Sequence, residues 1–112
     1  MGDDHNTTLK ELISALRSFS KKRKWTNNYY PAYLAKSIVI ESAELLEHFQ
    51  WTDGSASVSK LKNRKEKEDI AYELIDVLYY LMMLADIMDI DVVSTTKKKL
   101  KKLAIKYPEQ KK

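Results

Sequence analysis

The sequence predicts an all-α fold, and three observations predict it. Only two glycines and two prolines occur in 112 residues, which suits long helices better than frequent turns. Apolar residues recur at helical spacing over most of the chain. No stretch of useful length alternates between apolar and polar residues as a strand would.

The first helix is expected from about Thr8 to Lys22. Thr8 followed by Glu11 fits a capping box, and Leu9, Leu12, Ile13, Leu16 and Phe19 form its apolar stripe. Residues Lys21 to Tyr30 are basic and aromatic without clear period and read as a loop. Tyr30, ahead of a proline, is pushed toward extended backbone, and Pro31 can open the second helix. That helix continues to about Gln50, with Leu34, Ile38, Leu45 and Phe49 on one face. Thr52 to Ser59, with Asp-Gly and several serines, reads as a flexible loop. Asn63 with Glu66 marks a third helix start, which runs to about Met88. Asp89 to Asp91 forms a corner, and a fourth helix follows from Val92 to about Lys106, before Pro108.

Four helices imply a four-helix bundle in a single domain spanning 1–112, with 1–7 and 109–112 as flexible tails. The third helix is apolar on more than one side, through Tyr79, Leu81, Met82, Met83 and Leu84. In so short a chain, another subunit is the expected cover. The bundle is therefore expected to be completed by homo-oligomerisation.

The chain has no cysteine, which excludes disulfides and thiolate zinc sites and points to a reducing compartment. It has no apolar run long enough for a membrane span and no secretory pattern at its start, so a cytoplasmic location is expected. The net charge of +4 is unevenly placed. Residues 97–112 carry eight lysines and one glutamate, while residues 1–96 are mildly acidic.

Two acidic pairs carry the chemistry. Glu41 with Glu44, and Glu73 with Asp76, each sit three residues apart on one helical face. Both pairs lie among small and apolar residues, and none of the four has Lys or Arg one helical turn away. Carboxylates beside a core are expensive unless paired or metal-bound. Four of them across a cleft suit a hard divalent ion, Mg2+ with Mn2+ as substitute. Glu47 extends the series, either as a ligand or toward water. Asp69 reads as a dipole-compensating acid in the first turns of its helix. His48 stays outside the expected site, since oxygen ligands suffice.

Glu41-Ser-Ala-Glu44-Leu-Leu-Glu47-His-Phe-Gln-Trp51, followed after a loop by Glu73-Leu-Ile-Asp76-Val-Leu-Tyr-Tyr-Leu, resembles the MazG-like nucleotide pyrophosphohydrolases, in particular the small branch with the dCTP pyrophosphatases. Phe19, Arg23, Trp25, Pro31, Leu34, Ala35 and Lys106-Tyr107-Pro108 extend the match over about residues 16 to 108. The resemblance implies a Mg2+-dependent enzyme that cleaves a nucleoside triphosphate to the monophosphate and pyrophosphate. It places metal-binding and catalytic carboxylates on Glu41, Glu44, Glu73 and Asp76. It implies dimers, or tetramers built from dimers, with sites at subunit interfaces. Substrate-binding roles would fall on Arg23, Trp25, Trp51, Lys99, Lys106 and Tyr107. Asn28, Tyr29, Tyr33 and Leu103 depart from the family pattern near the nucleotide, which bears on base and sugar preference rather than on metal chemistry.

Two other classes compete. A nucleic-acid-binding module would use the lysine-rich segment and lose affinity steeply with salt. A non-catalytic assembly module would explain the third helix but not four unpaired carboxylates.

Overall fold

The computed structural model describes residues 1–110. Five α-helices and one short 3-10 turn occur, with no strand among the described residues: α1 (Leu9–Lys22), the 3-10 turn (Trp25–Asn28), α2 (Pro31–Glu47), α3 (Gly54–Lys60), α4 (Arg64–Ile87) and α5 (Val92–Lys106).

Local chemistry sets the helix starts. The Thr8 hydroxyl accepts from the Glu11 amide at 3.1 Å, the N-cap half of a capping box. Glu11 reaches back to the Thr8 hydroxyl, which donates to its carboxylate at 3.0 Å, rather than to the Thr8 amide. Asn63 accepts from the Glu66 amide at 3.0 Å, and Asp91 from the Ser94 amide at 2.8 Å. Pro31 opens α2 after an extended Tyr30. The corner before α5 turns on Asp89, whose φ of 54° is left-handed.

Two expectations are corrected. The segment Thr52 to Ser59 is not simply a loop, because α3 occupies most of it. Its serines back-bond within the helix, Ser57 to the Gly54 carbonyl at 2.6 Å and Ser59 to the Ser55 carbonyl at 3.2 Å. The loop Lys21 to Tyr30 contains the 3-10 turn. The described residues thus form five α-helices rather than four.

Packing centres on α2 against α4, with α1 laid across α4. The fully covered apolar core is small: Leu34 from α2 with Met82 and Met83 from α4. Leu9, Ile13 and Leu16 of α1 close over it. Arg17 of α1 clamps Asp86 of α4 through two hydrogen bonds, Nε to Oδ2 at 2.9 Å and Nη2 to Oδ1 at 2.5 Å. By contrast, α5 packs hardly at all on the other helices of its chain. The radius of gyration is accordingly 17.0 Å, against about 13 Å for a closed domain of this length. Large apolar side chains stay exposed on α2 and α4, among them Val39, Ile40, Leu46, Leu74 and Ile75. No helix of the described residues is long and apolar enough to cross a membrane.

Candidate metal and active site

The α2–α4 pairing brings the two acidic pairs together. Glu41, Glu73 and Asp76 each place one carboxylate oxygen so that all three lie within 4.8 Å of one another. The spacing in sequence makes this possible. Residues three apart share a helical face, and the two helices present those faces to each other. Glu44 lies beside this trio, near enough to both Glu41 and Glu73 for its charge to act on them.

The surroundings are hostile to bare negative charge. One oxygen of Glu41 (Oε2) and one of Glu73 (Oε2) are shut off from solvent without any hydrogen-bond partner. The ion pairs among the described residues, Arg17–Asp86 and Lys65–Asp69, both lie outside the trio. Burial pushes the Glu41 carboxyl up to about 7, helped by the hydrogen bond and charge of Glu44 and then by Asp76 and Glu73. Burial also raises Glu73, with the charges of Glu44 and Asp76 adding to it and His48 opposing. Orphaned, partly buried carboxylate oxygens facing one another fit a hard divalent cation with oxygen ligands.

The sign of the pH dependence follows. The folded-state pKa of Glu41 lies above its ordinary 4.5. Its contribution to stability is therefore present below about 4.5 and lost as pH rises through about 7. A divalent ion binds the deprotonated form. The melting temperature of metal-free protein should fall between about pH 5 and pH 8, and Mg2+ should restore it more at the higher pH. Differential scanning fluorimetry with EDTA or MgCl2 checks both trends.

Beside the carboxylates lies an aromatic cavity of about 180 Å³, lined by Trp25, Asn28, Tyr29, Tyr33 and Tyr80. Burial raises the Tyr80 hydroxyl, and the charges of Tyr33, Glu41, Tyr79 and Asp76 add to that, so Tyr80 links the cavity to the acidic cluster. Tyr80 is four residues after Asp76, one turn further on the same face, and that spacing was the available signal for it. His48 stands four residues after Glu44 in the same way, and its charge opposes the upward shift of Glu73.

The remaining expected residues divide. Trp25 lines the cavity and meets Phe19 edge-on, with ring centroids 5.7 Å apart. Arg23 lies over the Phe19 ring at 3.5 Å and donates to the Phe19 carbonyl at 3.0 Å. Trp51 is 88% exposed, beyond the end of α2 and outside the cavity. Lys99, Lys106 and Tyr107 belong to α5 and its end, and packing within one chain does not carry them to the carboxylates. Lys106 lies over the Tyr107 ring at 5.4 Å. Glu47 is exposed and outside the trio, and Asp69 pairs with Lys65 at 2.9 Å.

An all-helical chain that sets Glu-x-x-Glu against Glu-x-x-Asp across two helices matches the MazG-like family over residues 36–112. The chain belongs to that family. It is 32% identical over 102 residues to human dCTP pyrophosphatase 1 and 30% identical over 101 residues to the rat protein of that name. Each alignment covers 90% of this chain and 59% of the relative, so the chain spans well under two thirds of the length of these curated relatives. A crystal structure of a pyrophosphatase from Archaeoglobus fulgidus superposes with a TM-score of 0.82 at 39% identity, covering 97% of this chain and 100% of that one.

Proposed function

We propose that the protein is a Mg2+-dependent nucleoside triphosphate pyrophosphohydrolase that converts a (d)NTP and water to the (d)NMP and pyrophosphate. The observation that carries this reading is the meeting of Glu41, Glu73 and Asp76 oxygens within 4.8 Å, two of those residues holding a buried, unpartnered oxygen. Kinship with dCTP pyrophosphatases favours a dCTP-like or other pyrimidine deoxynucleotide substrate, handled in nucleotide-pool housekeeping.

Glu41, Glu44, Glu73 and Asp76 would hold the metal, of which Mg2+ is the expected form and Mn2+ a substitute. When bound, a divalent ion offsets the charge of the triphosphate and makes water a better nucleophile. The chain's own groups supply the rest. Water adds to the α-phosphorus, the bond to the bridging α–β oxygen breaks, and pyrophosphate leaves. A carboxylate at the edge of the cluster, Glu44 or Glu41, would accept the water's proton. Trp25, Tyr29, Tyr33 and Tyr80 offer ring faces and edges to a planar base.

A homodimer, or a tetramer built from dimers, completes the site in this reading. The exposed apolar side chains of α2 and α4 need cover, and α5 stands clear of its own chain with its lysines unplaced. A second copy that covers those faces would bring Lys99, Lys106 and Tyr107 of α5 toward the triphosphate.

The test is a panel of ribo- and deoxynucleoside triphosphates assayed with Mg2+ and with EDTA. Turnover of at least one deoxynucleotide, abolished by EDTA, is expected. Absence of turnover across the panel, with Mg2+ and Mn2+ both tried, would overturn the reading.

A further inference from the structure

Three hydroxyls on three separate elements form a continuous chain that the proposed hydrolysis leaves unused. Ser20 in α1 is fully buried, and its hydroxyl donates to the Leu16 carbonyl at 2.8 Å. The same hydroxyl also meets the Tyr79 hydroxyl in α4 and faces Met83 Sδ at 4.0 Å. Tyr79 is in turn hydrogen-bonded to the Tyr29 hydroxyl, 2.6 Å away. Tyr29, Tyr79 and Ser20 thus form one run of hydroxyls that ends on the Leu16 carbonyl.

The outer end of this chain is the wall of the aromatic cavity. Tyr29 stacks on Tyr33, with centroids 6.0 Å apart and planes 22° apart, and meets Tyr79 edge-on at 6.4 Å. Its amide closes the short 3-10 turn by donating to the Thr26 carbonyl at 3.2 Å, and that turn carries Trp25 and Asn28. One tether thus holds the segment that supplies most of the cavity's lining. Ring contacts also hold this segment, Tyr29 on the core and on Tyr33 and Trp25 on Phe19, and the hydroxyl chain adds a directional bond to them.

The geometry points to Ser20, Tyr79 and Tyr29 as a positioning chain that fixes the aromatic wall beside the carboxylates and thereby sets which nucleobase is accepted. None of the three hydroxyls touches the phosphate or the metal in this scheme. They act through the ring face of Tyr29, the stack on Tyr33 and the placing of Trp25. The substrate part rests on the nucleotide reading above, while the tether itself rests on geometry alone.

Tyr79→Phe removes both inner hydrogen bonds and keeps the ring. It should raise KM for the preferred nucleotide about tenfold, the order of one lost buried hydrogen bond, and flatten the preference between bases. The kcat should be unchanged, as should inhibition by inorganic tripolyphosphate, which has phosphates but no base. In a Trp51→Phe background, used for fluorescence alone, Tyr79→Phe should make Trp25 more accessible to acrylamide. Ser20→Ala, which removes the contact with Tyr79 and the bond to the Leu16 carbonyl, should move the same readouts the same way and stand in should Tyr79→Phe not fold. A fall in kcat with weakened tripolyphosphate inhibition, or unchanged KM and base preference, would overturn the proposal. Were the wild type to turn over no nucleotide, the reading of function would fail by itself. Trp25 quenching would then decide the tether, with unchanged quenching overturning it.

Discussion

Replacing Glu41 with glutamine should move activity and stability in opposite directions. Glu41 contributes an oxygen to the trio and holds a buried oxygen with no partner. Its charge is disfavoured by burial and by three neighbouring carboxylates. An amide of the same shape removes that charge and lets its N–H groups donate to Glu44. In metal-free protein near neutral pH, Glu41→Gln should stabilise the fold by about 1 kcal/mol, the scale of one buried polar group gaining a partner, or about 4 °C in melting temperature. Hydrolysis should fall at least about a hundredfold, because even the outer partners of metal ligands are worth 10–100-fold. A structural carboxylate would show the reverse pairing: lower stability and activity lost only in step with it. Thermal melts in EDTA beside steady-state rates in Mg2+ separate the two cases.

Leu34→Ala should destabilise the protein by about 3 kcal/mol. Leu34 is completely buried and is the point where α2 meets Met82 and Met83 of α4, under cover of α1. Few fully buried apolar side chains share the load, so little around Leu34 can relax into the cavity left behind. The melting temperature should drop by about 10–20 °C. The carboxylates sit on the same helix pair, so misregistry of α2 and α4 should weaken Mg2+ binding as well. Chemical denaturation monitored by circular dichroism, repeated with and without Mg2+, gives both quantities.

Most helix boundaries are legible in the sequence because they are set locally. Thr8, Pro31, Asn63 and Asp91 each start a helix by satisfying or sparing backbone amides within a few residues of themselves. The helix α3 escapes such a reading, since Asp53-Gly54 looks like a turn and seven serine-rich residues show no apolar period. The detachment of α5 is equally hidden. Its lysine and apolar pattern is that of any amphipathic helix, and nothing local says which chain its apolar side should meet. That each acidic pair shares a face is readable from spacing, because the period of a helix brings i and i+3 together. The meeting of Glu41 with Glu73 and Asp76, and the place of Glu44 beside them, depend instead on how α2 packs on α4. Tyr80 could be placed by spacing as well, from its distance to Asp76. The Ser20–Tyr79–Tyr29 chain could not, because it depends on how α1, the turn after it and α4 cross in space.

The central claim is that the carboxylates of α2 and α4 direct hydrolysis at the α-phosphorus of a nucleoside triphosphate. Phosphorus NMR of a deoxynucleoside triphosphate digest in Mg2+, run in ¹⁸O-labelled water, tests it most directly. Nucleoside monophosphate and pyrophosphate are the expected products, with ¹⁸O in the monophosphate. Nucleoside diphosphate with orthophosphate would contradict it, as would label appearing in the pyrophosphate.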